Sequence, residues 1–566
     1  MDYMDKYNLW LNSPYVDDKT REELKKIKDK KQIEDMFYKD IQFGTGGLRG
    51  IIGPGTNRMN IYVVRRASQG VANHIKKLGG NVCLRGVVIA YDSRHKSREF
   101  AMEAASVFAG NNIKAYVFED LRPTPELSYA VRKLSAIAGI VITASHNPPE
   151  YNGYKVYWED GAQVSLDTAN EILSEINNIS DFGHVKYKNL DTAKNEGLFS
   201  VIGEEIDHMY IDDIQSLIIN KDIIKNMGDK LTIIYTPLHG SGNKLVRRSL
   251  KTAGFKNVHV VKEQELPDPD FRTVKSPNPE DPKAFELAIK MASDLKPDII
   301  LGTDPDSDRL GVCVPDDEGK YVTLTGNQIG ALLMKYILSQ LKENGKLPSN
   351  GVVIKTIVTS ELGRAIASHY GVKVIDTLTG FKYIGDKIKE FEQDSSYSFL
   401  FGYEESYGYL AGTFVRDKDA VIASTLACEM ALYCKSKNTT IYDMLKSIYK
   451  KYGFYRDSLK SITLKGKQGS ETISKLMGTL RKNAPRRIGI EDVVDVYDYE
   501  KGIGDLPKAD VLQLITDKKS RISIRPSGTE PKVKIYYSVN GKTLEDAQKR
   551  LDLLIEEFSS DINKII

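Results

Sequence analysis

The chain has 566 residues, too many for one hydrophobic core, and its length implies roughly three to five domains. Hydrophobic residues make up 41% and charged residues 28%, while 80 Lys and Arg against 77 Asp and Glu leave a formal charge of +3. That balance excludes a global field for nucleic acid or an anionic membrane, so anionic ligands must be drawn by local clusters.

The four cysteines (Cys83, Cys313, Cys428 and Cys434) form no CxxC pair, which argues against a zinc site or a disulfide framework. No apolar run approaches the roughly 18–20 residues that span a bilayer. The opening Met1-Asp2-Tyr3-Met4-Asp5-Lys6 is polar, with no apolar signal core behind it. A cytoplasmic location is expected.

In chain order, residues 1–40 read as charged helix, with Thr20 and Glu23 spaced for a capping box. A glycine-rich loop follows, then alternating strands and helices: strands at 87–90 and 115–118, a helix over 98–110, and a buried strand at 138–142. Helix is predicted around 204–227. The alternation then restarts with strands at 231–235, 258–261 and 299–301 and a helix over 243–253. A third restart begins near Gly319, with strands around 352–354, 372–375 and 399–401. The tail from about 455 has short strands at 521–524 and 532–539 and a last helix over 544–558. This is an α/β chain: three similar α/β units, each a mixed sheet between helices, then a smaller C-terminal α+β domain. The expected boundaries are 1–205, 206–318, 319–450 and 451–566.

Four loops carry chemistry-bearing residues. The first, Thr143-Ala-Ser-His-Asn-Pro-Pro-Glu-Tyr-Asn-Gly-Tyr-Lys-Val-Tyr157, follows the strand at 138–142 and presents Ser145 at its end. Pro148 and Pro149 stiffen the turn, and strand ends are where open α/β sheets hold ligands. A lone serine in such a turn more often caps backbone groups than reacts. Thr143 and Asn147 stand where a nucleophile elbow needs glycine, which disfavours a hydrolase triad.

The second loop, Gly302-Thr-Asp-Pro-Asp-Ser-Asp-Arg309, places Asp304, Asp306 and Asp308 at alternate positions, where like charges repel unless a cation neutralises them. Oxygen-only ligands suit Mg²⁺ or a similar hard ion. A calcium EF-hand is ruled out, because Arg309 and Pro315 occupy the positions that need Gly and Glu. Arg309 beside the triad suits an anionic substrate. The third loop, Gly402-Tyr-Glu-Glu-Ser-Tyr-Gly408, offers carboxylates and a hydroxyl of the kind that grip sugar hydroxyls. The fourth, Arg525-Pro-Ser-Gly-Thr-Glu-Pro-Lys532, is either a plain hairpin turn or a phosphate cradle of backbone N–H groups, hydroxyls and a guanidinium. Gly44-Thr-Gly-Gly-Leu-Arg-Gly50 fits neither nucleotide-binding glycine template, so no ATP or NAD site is expected.

Taken together and in order, GTGGLRG, TASHNPPEYNGYKVY, DPDSDR, GYEESYG and RPSGTEPK resemble the α-D-phosphohexomutases, on the phosphoglucomutase branch, from about residue 40 to the C-terminus. The resemblance implies four domains around a cleft. It implies a serine, Ser145, that carries the transferable phosphoryl group. It also implies Mg²⁺, one per active site, on Asp304, Asp306, Asp308 and a Ser145 phosphate oxygen. Glucose 1,6-bisphosphate is implied as intermediate and activator.

Arg49 and Lys155 match basic residues near the reacting hydroxyl and His146 directly follows the nucleophile, with Lys155 favoured for general acid/base work. Arg309 matches a group holding the transferring phosphoryl. Thr379, Gly380, Lys382, Glu404 and Ser406 match sugar and cleft contacts, and Arg525, Ser527, Gly528 and Thr529 the site for the non-transferring phosphate. Pro305 departs from the glycine of many relatives without removing a ligand. The implied substrate is glucose phosphate, with mannose or pentose phosphates as alternatives. Partners are a phosphosugar, with no nucleic acid and no membrane; the oligomeric state stays open. A dehalogenase-like phosphotransferase using Asp304, or a silent phosphosugar-binding protein, are the other classes; the first leaves TASHNPP without a role.

Overall fold

The computed structural model of the protein describes residues 2–44, 46–464, 466–527 and 532–566, with no side chains described at 466 and 467. Gly528 and Thr529 of the fourth loop lie outside the described residues. The chain divides into two units. The first comprises Met1–Leu324, Ile384–Ser395 and Gly408–Ser436, and the second Thr325–Tyr383, Ser396–Tyr407 and Lys437–Ile566.

The first unit opens with helices Tyr3–Asn12, Asp18–Lys26 and Lys30–Phe37, which bury Trp10, Leu24 and Phe37 against Tyr62. The capping box expected at Thr20 is absent. Asp17 caps that helix, accepting from the Thr20 N–H at 2.9 Å and the Thr20 hydroxyl at 2.8 Å. A carboxylate at the positive end of the helix outcompetes a hydroxyl one turn later.

Next comes a six-stranded sheet of β1 (Gly47–Ile51), β2 (Val87–Tyr91), β3 (Ala115–Phe118), β4 (Ala138–Ile142), β5 (Tyr151–Trp158) and β6 (Phe199–Ile202), in the order β1-β5-β4-β2-β3-β6. Strands β2 and β4 are buried at every residue, as parallel strands covered on both faces must be, which is why they read as unbroken apolar runs. The Ser145 turn joins β4 to β5, which returns antiparallel and pairs Val141 with Lys155.

A second sheet contains β7 (Ile233–Thr236), β8 (Val258–Val260), β9 (Ile299–Thr303), β10 (Leu310–Pro315) and β11 (Tyr321–Thr323), in the order β11-β10-β9-β7-β8. The aspartate loop is the turn between β9 and the antiparallel β10. The helix Ala420–Ser436 belongs to this unit too. Asp419 caps it, accepting from the backbone of Val421 and Ile422 at 2.8 Å each.

In the second unit β12 (Gly351–Thr356) pairs in parallel with β13 (Lys373–Thr377) on one side and β14 (Ser398–Glu404) on the other. Its C-terminal part is antiparallel: Phe454–Thr463 pairs with Lys532–Gly541, then follow Arg521–Pro526, Leu512–Thr516, Glu491–Asp498 and Arg487–Ile488. Helices Gly466–Lys482 and Leu544–Ile565 pack on that sheet. The last helix outruns the predicted 544–558 because Ile562 continues the buried stripe of Leu551, Leu554 and Phe558 by one more turn. Among the described residues no helix is long and apolar enough to cross a membrane.

Candidate active site

Ser145 stands three residues beyond β4, 3% exposed, with a left-handed backbone (φ 53°) unusual for a residue that is not glycine. Its N–H donates to Thr143 Oγ1 at 2.8 Å. Its hydroxyl donates to Asp304 Oδ2 at 2.9 Å and lies 3.1 Å from His146 Nδ1.

The aspartate loop meets that hydroxyl from the second sheet. Asp304, Asp306 and Asp308 are buried, and each offers a carboxylate oxygen such that all lie within 4.8 Å of one another. Backbone N–H groups of Asp308 and Arg309 donate to Asp304 Oδ1 at 3.1 and 3.0 Å. Asp306 Oδ1 and Asp308 Oδ1 have no hydrogen-bond partner among the described residues. Burial, with the charges of Asp308 and Asp306, holds the Asp304 carboxyl well above the usual carboxylate range. Asp306 goes the other way: burial would raise it, but Lys155 and Lys418 outweigh that and hold it low. Crowded carboxylates with unpartnered oxygens and no sulfur or imidazole donor fit a hard divalent cation. Among the described residues this is the one such cluster.

The loop is braced from behind. Ser241 donates to the Pro305 carbonyl through both its N–H and its hydroxyl at 2.8 Å. Gly240 lies so close beneath that a Cβ there would meet Pro305 Cα at 2.5 Å. From the first sheet's side, Thr124 donates its N–H to the Asp306 carbonyl at 2.9 Å and its hydroxyl to Asp306 Oδ2 at 3.0 Å.

Two lysines converge on the carboxylates. Lys155, on β5, lies 2.8 Å from Asp306 Oδ2 and 3.6 Å from Asp308 Oδ2. Lys418 lies 2.8 Å from Asp308 Oδ2 and 3.3 Å from Asp417 Oδ1, and Asp417 in turn accepts from the Tyr157 hydroxyl at 2.6 Å. Arg309 pairs with Glu280 and sits 3.8 Å from Asp308 Oδ1. Arg49, on β1, is exposed and donates to the Asn147 side chain at 3.2 Å. Burial and then the charges of Arg309 and Arg49 push His146 well below the usual imidazole range.

The second unit holds the other expected residues. The Gly380 N–H donates to Glu404 Oε1 at 2.9 Å, and Lys382 is buried with its ammonium 5.1 Å from the Tyr383 ring centre. The Thr379 hydroxyl is buried without a hydrogen-bond partner among the described residues. Ser406 is half-buried in the turn after β14. Arg525 is the penultimate residue of the inner strand Arg521–Pro526, and the Ser527 N–H donates to the Lys532 carbonyl at 2.7 Å. Burial and the charge of Glu405 push the Tyr536 phenol up, Arg525 opposes them, and Glu404 adds to the rise, so one phenol feels both loops.

Sequence reasoning missed Lys418, Thr124 and Glu280. Lys418 lies in Arg416-Asp417-Lys418-Asp419, which reads as a solvated polar turn. Its one signal is position: the run leads directly into the wholly apolar start of the helix at Ala420.

Residues 40–182, 208–319 and 325–452 match α/β/α domains I, II and III of the phosphoglucomutase/phosphomannomutase family. The chain is similar to a phosphoglucomutase of Staphylococcus haemolyticus, with 41% identity over 530 residues covering 91% of this chain and 93% of that one. It is also 38% identical to a phosphoglucomutase of Staphylococcus epidermidis, over 88% of this chain and 91% of the relative. The fold is shared with parafusin, a phosphoglucomutase from Paramecium in an open form (TM-score 0.70, 19% identity, 93% and 96% covered). A phosphoglucomutase/phosphomannomutase family protein of Burkholderia thailandensis shares it as well (TM-score 0.67, 18% identity, 92% and 97% covered). With the serine turn, the carboxylate cluster and three matching domains in one chain, the protein belongs to the phosphoglucomutase/phosphomannomutase family.

Proposed function

We propose that the protein interconverts glucose 1-phosphate and glucose 6-phosphate through a phosphoryl group carried on Ser145. The observation that carries the reading is the 2.9 Å contact between the Ser145 hydroxyl and Asp304 Oδ2 at the edge of the carboxylate cluster. Phosphoryl transfer asks mainly for alignment and for neutralisation of the charge in motion.

Asp304, Asp306 and Asp308 would hold one Mg²⁺, which when bound supplies Lewis-acid stabilisation of the transferring group. The chain's own residues do the rest. Phospho-Ser145 gives its phosphoryl to the free hydroxyl of the hexose monophosphate: the P–O bond to serine breaks, a P–O bond to the sugar forms, and the hydroxyl proton leaves to a base. The resulting hexose 1,6-bisphosphate returns its other phosphoryl to Ser145, so no phosphate is consumed overall. Lys155 is the candidate for moving the proton, with Lys418 and Arg309 holding charge on the phosphoryl oxygens. Arg49 and His146 line the same loop. Glu404 and Ser406 take sugar hydroxyls, with Thr379, Gly380 and Lys382 beside them. Arg525 and Ser527, with Gly528 and Thr529, take the phosphate that stays. Domain limits of 1–205, 206–318, 319–450 and 451–566 give each of the four loops its own domain.

A coupled isomerisation assay tests the reading. It compares glucose 1-phosphate, mannose 1-phosphate and ribose 1-phosphate, with and without Mg²⁺ and a trace of glucose 1,6-bisphosphate. The expected result is Mg²⁺-dependent turnover that favours glucose 1-phosphate. Failure with all three sugars overturns it.

A further inference from the structure

The serine turn has an unusual architecture. Pro148 and Pro149 lack N–H groups, Ser145 holds a left-handed backbone, and only the carbonyls of Ala144, Pro148 and Glu150 take backbone N–H groups, from Asn147 at 3.2 Å, Tyr151 at 3.1 Å and Ile52 at 2.8 Å, among the hydrogen bonds of the described residues. Buried carbonyls need donors. One side chain serves four of the turn's carbonyls. Arg94, whose side chain is fully buried, donates through Nη1 to the Pro148 carbonyl at 2.7 Å and the Tyr151 carbonyl at 3.1 Å. Through Nη2 it donates to the Ser145 carbonyl at 2.5 Å and to that of Asn147. The carbonyl of His146 accepts from Ser276 Oγ at 3.0 Å.

Arg94 is fixed in turn. Its Nε lies 3.3 Å from Asp92 Oδ2, and its guanidinium sits 5.0 Å from the centre of the Phe271 ring. Asp92 is buried and fully engaged: it accepts from Thr143 Oγ1 at 2.6 Å, Ser97 Oγ at 2.7 Å and the Arg94 N–H at 3.0 Å. The same Thr143 hydroxyl receives the Ser145 N–H. Asp92, Arg94 and Thr143 thus hold Ser145 by both its N–H and its carbonyl. Arg94 Nε, though 3.3 Å from Asp92 Oδ2, has no hydrogen-bond partner among the described residues, so the pair is held by charge and by the four bonds its Nη groups donate, and those bonds fix one geometry.

We propose that Arg94, seated on Asp92, is the positioning residue of the phosphoryl-transfer step: it locks the Ser145 turn in one conformation whether or not the serine carries phosphate. The proposal rests on Ser145 being the phosphoryl carrier. Phosphorylation adds nearly two negative charges, enough to reorganise a free loop. A planar fork bonded to four carbonyls resists that, where an ammonium could reach only one or two. Displacement of a reacting group by 1 Å costs on the order of 100-fold in rate.

The test measures steady-state kinetics and Ser145 phosphorylation by glucose 1,6-bisphosphate in wild type, Arg94→Lys and Arg94→Ala. For Arg94→Lys, which keeps the charge opposite Asp92, kcat is expected to fall about 10- to 100-fold with KM within about threefold. For Arg94→Ala, added guanidinium is expected to restore kcat by about tenfold or more without moving KM. A folded Arg94→Lys enzyme with kcat within about twofold of wild type overturns the proposal. A lysine variant that does not fold also overturns it, since Arg94 would then serve the core rather than the turn. Wild type that neither turns over nor takes phosphate on Ser145 defeats the underlying reading instead, and the two failures are told apart by that control.

Discussion

The Ser145 hydroxyl and the Asp304 carboxylate lie 2.9 Å apart although 159 residues separate them in sequence. One comes from the turn after the first sheet's β4 and the other from the turn after the second sheet's β9, so a phosphoryl group on Ser145 would be delivered beside three buried carboxylates.

Burial, with the charges of Asp308 and Asp306, raises the Asp304 carboxyl well above the usual carboxylate range, so a proton competes with a cation for this site. Binding of Mg²⁺ is therefore expected to release protons and to strengthen as pH rises. Calorimetry in two buffers of different ionisation enthalpy checks this, and Asp306→Asn is expected to abolish measurable binding. Chelation by EDTA should stop turnover and added Mg²⁺ should restore it.

Lys418 approaches Asp308 as closely as Lys155 approaches Asp306, and it is anchored by Asp417 and, through that residue, by Tyr157. Removing a charge aimed at a developing phosphoryl anion costs about 100- to 1000-fold in kcat. Lys418→Met is expected to show that loss. Tyr157→Phe, which loosens only the anchor, is expected to lose less, and steady-state kinetics ranks the two.

Thr124 touches Asp306 twice, by N–H and by hydroxyl. Thr124→Val keeps the shape and deletes the second contact. Groups that orient a metal ligand are worth about 10- to 100-fold in affinity, and Mg²⁺ affinity is expected to fall by about tenfold while the melting temperature changes little.

Asp207 carries a stability contribution with a defined pH window. Burial would raise its pKa, but hydrogen bonds from Arg122 and neighbouring Glu126 and Lys244 outweigh that and bring it to about 2, against an ordinary value of 3.8. Arg122 Nε lies 2.8 Å from Asp207 Oδ1 and Lys244 Nζ 2.8 Å from Oδ2. A carboxyl whose pKa is depressed on folding contributes stability above its unfolded pKa and loses it as pH falls through the folded one. That amounts to about 2 kcal/mol, present above pH ~4 and fading toward pH ~2. Denaturant melts at several pH values should show Asp207→Asn destabilised near pH 6 and the gap narrowing below pH 4.

Much of this was legible in the sequence because its causes are local. Ala138–Ile142 is apolar at every position since both faces of β4 are covered, and the polar run from Thr143 marks its end. Asp304, Asp306 and Asp308 gather because alternate residues of one tight turn, with Ser307 in a left-handed backbone (φ 53°), can turn their side chains inward together. What could not be read is what depends on distant chain. Thr124 carries no signal of its own and Lys418 only its position before the helix at Ala420, and only the fold brings them to Asp306 and Asp308. Arg94 reads as one more charge in a polar stretch, yet its side chain is wholly buried, because the carbonyls it serves lie some fifty residues further on. The cap at Asp17 was misplaced by one helical turn since Asp17 and Thr20 both offer oxygen at that spacing.

The most direct test of the account is where the phosphate goes. Enzyme incubated with glucose 1,6-bisphosphate, digested and mapped by mass spectrometry, is expected to carry hydroxylamine-stable phosphate on Ser145, with Ser145→Ala unlabelled and at least about 1000-fold slower in the isomerase assay. A hydroxylamine-labile phosphate on Asp304, or full mutase activity in Ser145→Ala, would contradict it.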